Sequence, residues 1–414
     1  MKLVESRPIK EYALGIYDGP HATPKESPEG GVFLGIKNIT DDGRLDFSKI
    51  RHVSENELPR WTRRVTPRPG DVVLTYEATL HRYATIPEGF RGCLGRRVAL
   101  IRPNPEKADS RFLLYYFLSQ EWRKVVEAFI ITGATVDRIP LEKLPNFPAA
   151  LPRLSVQREI AAVLSAYDDH VENNRRRVAL LEQAARLLYQ EWFVRLRFPG
   201  HEHTRIRNGS PEGWERKILE AVCTDGDGIQ TGPFGSQLHQ SDYTDEGVPV
   251  VMPKDLIAFR VDTQDIARIP ETLAQTLGRH RMIPGDTVYG RRGDIGRRAY
   301  ISHRQAGWFC GTGCLRLRPN QKEINPRYFF DSLGAPETAG TIANRAKGAT
   351  MPNLNGTVLK SVPILVAPRR LQDLYAEQTE PMAEMIETLA EQNQKLRAAR
   401  DLLLPRLMSG ELVV

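Results

Sequence analysis

Between residues 155 and 193 the apolar positions recur at steps of four and three. Ile160, Leu164, Tyr167, Val171, Asn174, Val178, Leu181, Ala185, Leu188 and Trp192 form one unbroken seam, with no Gly or Pro inside it. That spacing predicts a long amphipathic helix that packs along another helix. At 1.5 Å per residue it would run for roughly 58 Å, more than a compact domain needs at its centre. A second seam follows near the C-terminus: Tyr375, Gln378, Met382, Met385, Leu389, Gln392, Leu396, Ala399 and Leu403. Pro381 lies inside it and predicts either a kink or the true start of that helix. A lone amphipathic helix is marginal in water, so the two are expected to bury their seams on each other, with Asn174, Gln378 and Gln392 either half-solvated at the edge or fixing the register. The paired acids Asp168 and Asp169 read as a solvated helix face.

The stretches between the helices show strand periodicity. Short alternating runs at residues 72–76 and 98–102, and at 248–252, 287–290 and 314–319, predict strands separated by Gly and Pro. Residues 111–129 predict an amphipathic helix. Residues 325–333 predict another, with Asn325 as cap and Pro326 at its first position. Each globular stretch is thus mixed α and β.

The two stretches are versions of one another. Gly31-Val32 matches Gly247-Val248, Pro69-Gly70-Asp71 matches Pro284-Gly285-Asp286, and Arg102-Pro103-Asn104 matches Arg318-Pro319-Asn320. Arg111-Phe112 matches Arg327-Tyr328, and Gly133-Ala134-Thr135 matches Gly348-Ala349-Thr350. Matches in one order at one offset of about 216 residues mean an internal duplication. The organisation read from the sequence is a first globular unit at residues 1–154, a helical region at 155–196 and a linker at 197–210. A second unit at 211–370 and a distal helical region at 371–414 complete it. The expected fold class is α+β: two mixed domains, two long helices pairing as a coiled coil, and a pseudo-two-fold repeat.

The chain has 414 residues and a net charge of +7, which favours a polyanionic partner. No run of 18 apolar residues and no signal-like N-terminus is present, so no membrane association and a cytoplasmic location are expected. Four cysteines are too few for a disulfide framework, and Cys310 with Cys314 lacks the further ligands a zinc site needs, so no metal is assigned. The chain has no phosphate-binding GxxxxGK[ST] loop, no GxGxxG after a strand, no HExxH and no GxSxG. It also lacks the Asn/Asp-Pro-Pro-aromatic run of amino-methyltransferases. No catalytic residue is assigned.

What both units carry instead is a cationic, hydrogen-bonding loop just after Pro-Gly-Asp. The first offers Thr75, Tyr76, His81 and Arg82; the second offers Arg291, Arg292 and Arg297 among glycines. Arginine pairs bidentately with guanine or with phosphate, and neighbouring glycines let a backbone approach closely. Lys37 and Asn38 with Lys254, Thr135 and Arg138 with Lys347, Thr350 and Asn353, and Gln230, Thr231, Phe234, Ser236 and Gln237 extend the candidate DNA-binding set.

Longer phrases then carry a family likeness: TGPFGSQL (231–238), RRGDIGR (291–297), GATMPNLN (349–356) and RDLLLPRLMSGEL (400–412). LPRLSVQREIAAVLSAYDDHVENN (151–174), LLYQEWFVRLRFPG (187–200) and CLGRR (93–97) add to it. The chain resembles the specificity subunit of type I DNA restriction–modification systems over nearly its full length. It departs from the pattern in a short N-terminal edge, without the PEGWE opening seen at 211–215, and in Pro381. The resemblance implies two target recognition domains that each read half of a bipartite duplex site. It implies that the two helical regions form an antiparallel coiled coil and set the spacer, and that two methyltransferase subunits dock on the chain, followed by restriction-translocase subunits. It implies no catalysis by this chain, with S-adenosylmethionine, ATP and Mg belonging to the partners. A coiled-coil scaffold that reads no DNA, or a stand-alone DNA methyltransferase or nuclease, are the competing readings of the residues.

Overall fold

A computed structural model describes residues 5–132, 136–207, 209–292, 294–346 and 353–414. The chain divides into two compact units, Met1–Asn174 with Gln392–Val414 and Arg175–Glu391. Each unit therefore holds one globular domain and a portion of both long helices.

The duplication extends to the strand order. The first unit has a four-stranded antiparallel sheet, Ala13–Asp18, Val98–Pro103, Val72–Thr75 and Tyr83–Thr85 in spatial order. A second sheet pairs Arg51–Val53 antiparallel with Gly31–Leu34, which runs parallel to Gly92–Leu94. The second unit repeats both: Ile229–Thr231, Cys314–Leu317, Thr287–Gly290 and Arg298–Tyr300, then Ala267–Ile269, Val248–Val251 and Phe309–Cys310. The structural match at the second sheet is Gly30 with Gly247, one residue away from the sequence match at Gly31. Both take φ near +124° (123° and 124°), and a Cβ there would lie 2.1 or 2.2 Å from the carbonyl of Val53 or Ile269. Only glycine fits such a position.

Two buried ion pairs anchor the repeat. Asp71, after Pro69-Gly70, accepts from Arg102 Nε at 2.9 Å and Nη2 at 2.7 Å, and from the Arg68 amide at 2.8 Å. Asp286 accepts from Arg318 Nε at 2.8 Å and Nη2 at 2.7 Å, and from the Ile283 amide at 2.9 Å. A bidentate guanidinium and a backbone donor satisfy each buried carboxylate, which is what a buried charge requires. The PGD motif is thus structural in both units.

The helix predicted over 111–129 is two, Ser110–Leu118 and Gln120–Glu127, broken at Ser119, whose backbone is extended (ψ 159°) and whose hydroxyl accepts from Trp122 N at 3.3 Å. Asn325 does cap Pro326–Ser332, accepting from the Arg327 amide at 2.9 Å. A buried glutamine ties each capping residue to a long helix. The Asp109 amide donates to Gln157 Oε1 at 2.9 Å, and the Asn325 amide donates to Gln372 Oε1 at 2.8 Å.

The central helix is Leu154–Tyr189, ending in a π-helical turn, Gln190–Val194. The distal helix is Arg369–Met408 and continues through Pro381, so the proline is not its start. Pro381 leaves the carbonyl of Glu377 without an intrahelical donor, and both residues are exposed, so water can serve it.

The helices pair antiparallel within each unit. In the first, Arg400 Nη1 donates to Asp168 at 2.5 Å and Asn174 Nδ2 to Asn393 Oδ1 at 3.1 Å, while Ile160 and Leu164 share a core with Leu407. In the second, Arg177 approaches Met385 and the Tyr375 hydroxyl reaches the Ala185 carbonyl at 3.5 Å. The distal seam differs from the expected one at alternate positions. Thr379, Ile386, Asn393 and Arg400 face inward where Gln378, Met385, Gln392 and Ala399 were expected; Gln378, Met385 and Gln392 are exposed. Asp168 is likewise no solvated face: it also accepts from the Tyr115 hydroxyl at 2.5 Å, whereas Asp169 is exposed.

The linker at 197–210 is pinned at its first turn. Phe198 packs at a tilt against Trp214 with centroids 5.3 Å apart, and both join the core around Phe193, Tyr328 and Tyr375. Cys310 and Cys314 are buried free thiols, and burial pushes Cys310 up to about 12.

The Asn174–Asn393 pair yields a prediction. Asn393→Leu leaves the Asn174 amide buried beside an apolar side chain and should lower stability by about 1–3 kcal/mol. Asn174→Leu with Asn393→Leu should recover most of that loss. Denaturant melts arranged as a double-mutant cycle measure it; a single variant as stable as the parent contradicts a buried bond at this position.

Candidate nucleic-acid interface

In the second unit the candidate segments converge on Gly313. Its φ is +87°, and a Cβ would lie 3.0 Å from Pro253 Cγ, so the turn carrying Lys254 packs against it. Its carbonyl accepts from the Arg291 amide at 3.0 Å. Its neighbour Thr312 donates from Oγ1 to the Pro233 carbonyl at 3.1 Å, bringing in the loop with Phe234, Ser236 and Gln237. Arg292 bridges to Asn353, and the Leu354 amide donates to the Arg291 carbonyl at 2.8 Å. Gly232 lies so close to Gly311 that a Cβ would fall 2.0 Å from its carbonyl oxygen. Five chain segments far apart in sequence are thereby laced together.

The first unit uses the same lacing. Arg97 takes the place of Gly313, at φ +72° despite its side chain, and its carbonyl accepts from the Tyr76 amide at 3.2 Å. Glu77 bridges to Arg138, and the Ile139 amide donates to the Tyr76 carbonyl at 2.8 Å. Tyr76 therefore corresponds to Arg291, Glu77 to Arg292 and Arg138 to Asn353. Non-glycine residues at positive φ carry strain that the surroundings must hold, and Ala78 (70°) and His81 (60°) join Arg97 in this loop.

The side chains sort into two groups. Lys37, Arg138, Phe234, Ser236, Gln237, Lys254, Arg292, Arg297 and Asn353 are exposed. Arg292, Arg138 and Lys37 form no ion pair among the described residues, whereas Arg297 pairs with Asp294 at 3.0 Å. Gln230, Thr231, His81, Arg82 and Arg291 are half-buried. Burial and the neighbouring Arg292 lower the pKa of Arg291; burial and Arg123 lower that of His81.

Arg82 reaches inward, its Nη1 donating to the Ile39 carbonyl at 3.3 Å, and three further side chains are buried inside the domain. Thr75 is fully buried in its strand, and Tyr76 is buried with its hydroxyl 3.5 Å from His21 Nδ1. Asn38 is buried and caps its own turn, accepting from the Gly35 amide at 3.0 Å and donating to the Asp46 carbonyl at 2.9 Å. Asp255 accepts from the Met252 amide at 2.8 Å in the second unit, so in both copies the polar residue holds the turn and the lysine before it is exposed. Thr135, Lys347 and Thr350 lie outside the described residues.

Sequence reasoning passed over Arg96 and Arg97. Arg96 is exposed, and Arg97 pairs with Glu77 at 2.8 Å. The double arginine after Gly95 was the signal. Arg316 was also missed: 2% exposed, it donates to the Gln230 Oε1 at 3.2 Å and to the carbonyls of Arg279, Arg281 and Asp227, fixing the start of the Gln230–Gln237 segment. Arranged this way, unpaired guanidiniums, amides and an exposed ring offer hydrogen bonds to base edges and charge to phosphates.

Residues 33–183 match the model of the family described as the type I restriction modification DNA specificity domain. A relative from Methanocaldococcus jannaschii, the type I restriction enzyme MjaIX specificity subunit, is 24% identical over 99% of this chain and 90% of its own length. The putative MjaX specificity subunit of the same organism is 20% identical over 99% of this chain and 94% of its own. The solved type I restriction–modification S subunit from M. genitalium shares the fold with a TM-score of 0.55 at 16% identity, covering 97% of this chain and 95% of that one.

Alanine at both Arg291 and Arg292 should weaken binding of a target duplex with little change in melting temperature, because among the described residues neither guanidinium holds a hydrogen-bond or ion-pair partner. A lost base contact reduces discrimination by about 1–3 kcal/mol, and a lost phosphate contact weakens all sequences alike and lowers the salt slope by about one. Fluorescence anisotropy across a salt series separates the two. Affinity unchanged at every salt concentration removes this loop from the interface.

Proposed function

We propose that this chain, a member of the type I restriction–modification specificity-subunit family, reads a bipartite duplex target, one half with each of its two units. The observation that carries the reading is the repeated lacing around Gly313 and Arg97: one backbone framework, built twice, presents different side chains at corresponding positions. Glu77 and Arg138 stand where the second unit has Arg292 and Asn353, so the two loops offer different donors and acceptors and would read different bases. The paired helices serve as the platform for two methyltransferase subunits and set the spacer between half-sites; restriction-translocase subunits join the full complex. The chain itself supplies no catalysis. S-adenosylmethionine, ATP and Mg act in the partners.

The purified chain tests this against a DNA-blind scaffold and a self-sufficient enzyme. It should shift a bipartite duplex selectively, with affinity falling steeply as salt rises. It should transfer no methyl group from S-adenosylmethionine until the methyltransferase subunit is added. Absence of any duplex binding, alone or with that subunit, favours the scaffold; methyl transfer by a preparation that mass spectrometry shows to be the single chain favours the enzyme.

The spacer assignment has its own test. One matched heptad inserted between Val171 and Val178 and another between Leu389 and Leu396 keeps both seams in phase. It lengthens the helices by about 10 Å, or roughly three base pairs of B-DNA. Methylation of the native site should fall sharply and residual activity should move to longer spacers. Full methylation at the original spacing, by a variant that assembles normally, means the helices do not set the distance.

A further inference from the structure

The second unit contains a cavity of about 260 Å³ that the DNA reading does not use. Much of its wall is apolar, from Ala258, Phe259, Phe330, Ala335, Met382 and Ile386. Arg298 also lines it and is only 9% exposed. Its Nε donates to the Phe330 carbonyl at 3.3 Å. Among the described residues its Nη1 and Nη2 form no hydrogen bond and no carboxylate lies within ion-pair distance; Asp331 favours its charge only from further away. Its Cζ lies over the rings of Phe259 at 4.7 Å and Phe330 at 5.1 Å.

The carboxylates of the cavity wall are already matched. Asp331 takes Arg327 at 2.9 Å and the Tyr375 hydroxyl at 2.9 Å; Glu182 takes Arg260 at 3.1 Å; Glu387 takes the Ser302 hydroxyl at 2.9 Å and Arg304 at 3.4 Å. A buried charge without a counter-ion is expensive to maintain. The fold does not demand it. By strand register, Arg298 opposite Tyr289 occupies the position of Tyr83 opposite Leu74 in the first unit. There Tyr83 accepts a hydrogen bond from Trp122 at 3.1 Å and packs on Phe117 at 5.4 Å. The second unit has replaced an aromatic core by a lined space. Two further features preserve that space. Ala258 and Phe259 both hold positive φ, 49° and 63°, placing the Phe259 ring over Arg298. Gly334 leaves room for the guanidinium, since a Cβ there would fall 1.9 Å from Nη2.

We infer that this cavity binds a small organic monocarboxylate with an aromatic or aliphatic body, its carboxylate paired with the free edge of Arg298 and its body against the apolar wall. The guanidinium edge suits two parallel hydrogen bonds to a carboxylate. The volume lies just below the range of drug-sized sites and is too small for an α-helix about 10 Å across. An inorganic anion would satisfy the charge and leave the apolar wall empty. The inference stands apart from the DNA reading, and either can fail without the other.

Calorimetry on the full-length chain tests it with sodium 3-phenylpropionate, the neutral 3-phenylpropionamide and inorganic phosphate. The carboxylate should bind saturably, one per chain, and the amide at least tenfold more weakly, with phosphate at equal concentration failing to displace it. Arg298→Met, which keeps the apolar stem, should lose at least tenfold. Ala339→Trp fills the cavity without touching the charge and should abolish binding while an unchanged melting temperature reports an intact fold, so the test survives if Arg298→Met does not fold. No saturable binding to the parent chain, equal affinity for the amide, displacement by phosphate, or undiminished binding to Ala339→Trp overturns the inference.

Discussion

The structure depends on one constraint: each long helix carries an apolar stripe that cannot remain in water, and each buries that stripe on the other. The stripe does not stop at the helix pair. Ile160, Leu164 and Leu407 belong to the same core as Phe112 and Tyr116, and Tyr189 and Tyr375 belong to the same core as Tyr328 and Leu359. Helix pairing and domain packing therefore share one core within each unit. Polar residues at seam positions refine the register. Asn174 meets Asn393, Arg400 meets Asp168, and Thr379 turns its hydroxyl back to the Tyr375 carbonyl at 2.9 Å. An apolar seam alone tolerates slippage; a buried amide pair penalises it.

Duplication explains how the chain holds a fixed framework and variable chemistry together. What repeats is backbone and buried charge: the strand order, the Asp–Arg pair after each Pro-Gly, the glutamine that ties a helix cap to a long helix, and the glycines in backbone contact. What differs is the pair at the loop bridge, Glu77 and Arg138 in one copy and Arg292 and Asn353 in the other. Exposed side chains such as Arg138, Arg292 and Asn353 can change without disturbing the core, because backbone bonds hold the loops in place.

Much of this was legible in the sequence, and the failures have physical reasons. The central seam, the repeat, the strands and the Asn325 cap follow from periodicity and turn chemistry. The distal seam was misphased at alternate positions because the residues that face inward include Thr379, Asn393 and Arg400. A search for apolar residues passes over polar ones whose partners lie on another helix. Asn38, Thr75 and Tyr76 looked like ligand-facing residues because hydrogen-bonding capacity is visible in a sequence and burial is not. Gly31 was matched in place of Gly30 because only φ distinguishes two adjacent glycines. The cavity at Arg298 had no signal at all, since it exists only where the second copy departs from the packing of the first.

The central claim is that two copies of one framework read DNA independently. Exchanging residues 211–370 for the corresponding segment of a type I restriction–modification specificity subunit, and sequencing adenine methylation in a host that also carries a methyltransferase subunit, tests it most directly. The account predicts that one half-site changes to the donor's sequence while the other half-site is retained. A change in both half-sites together would contradict it.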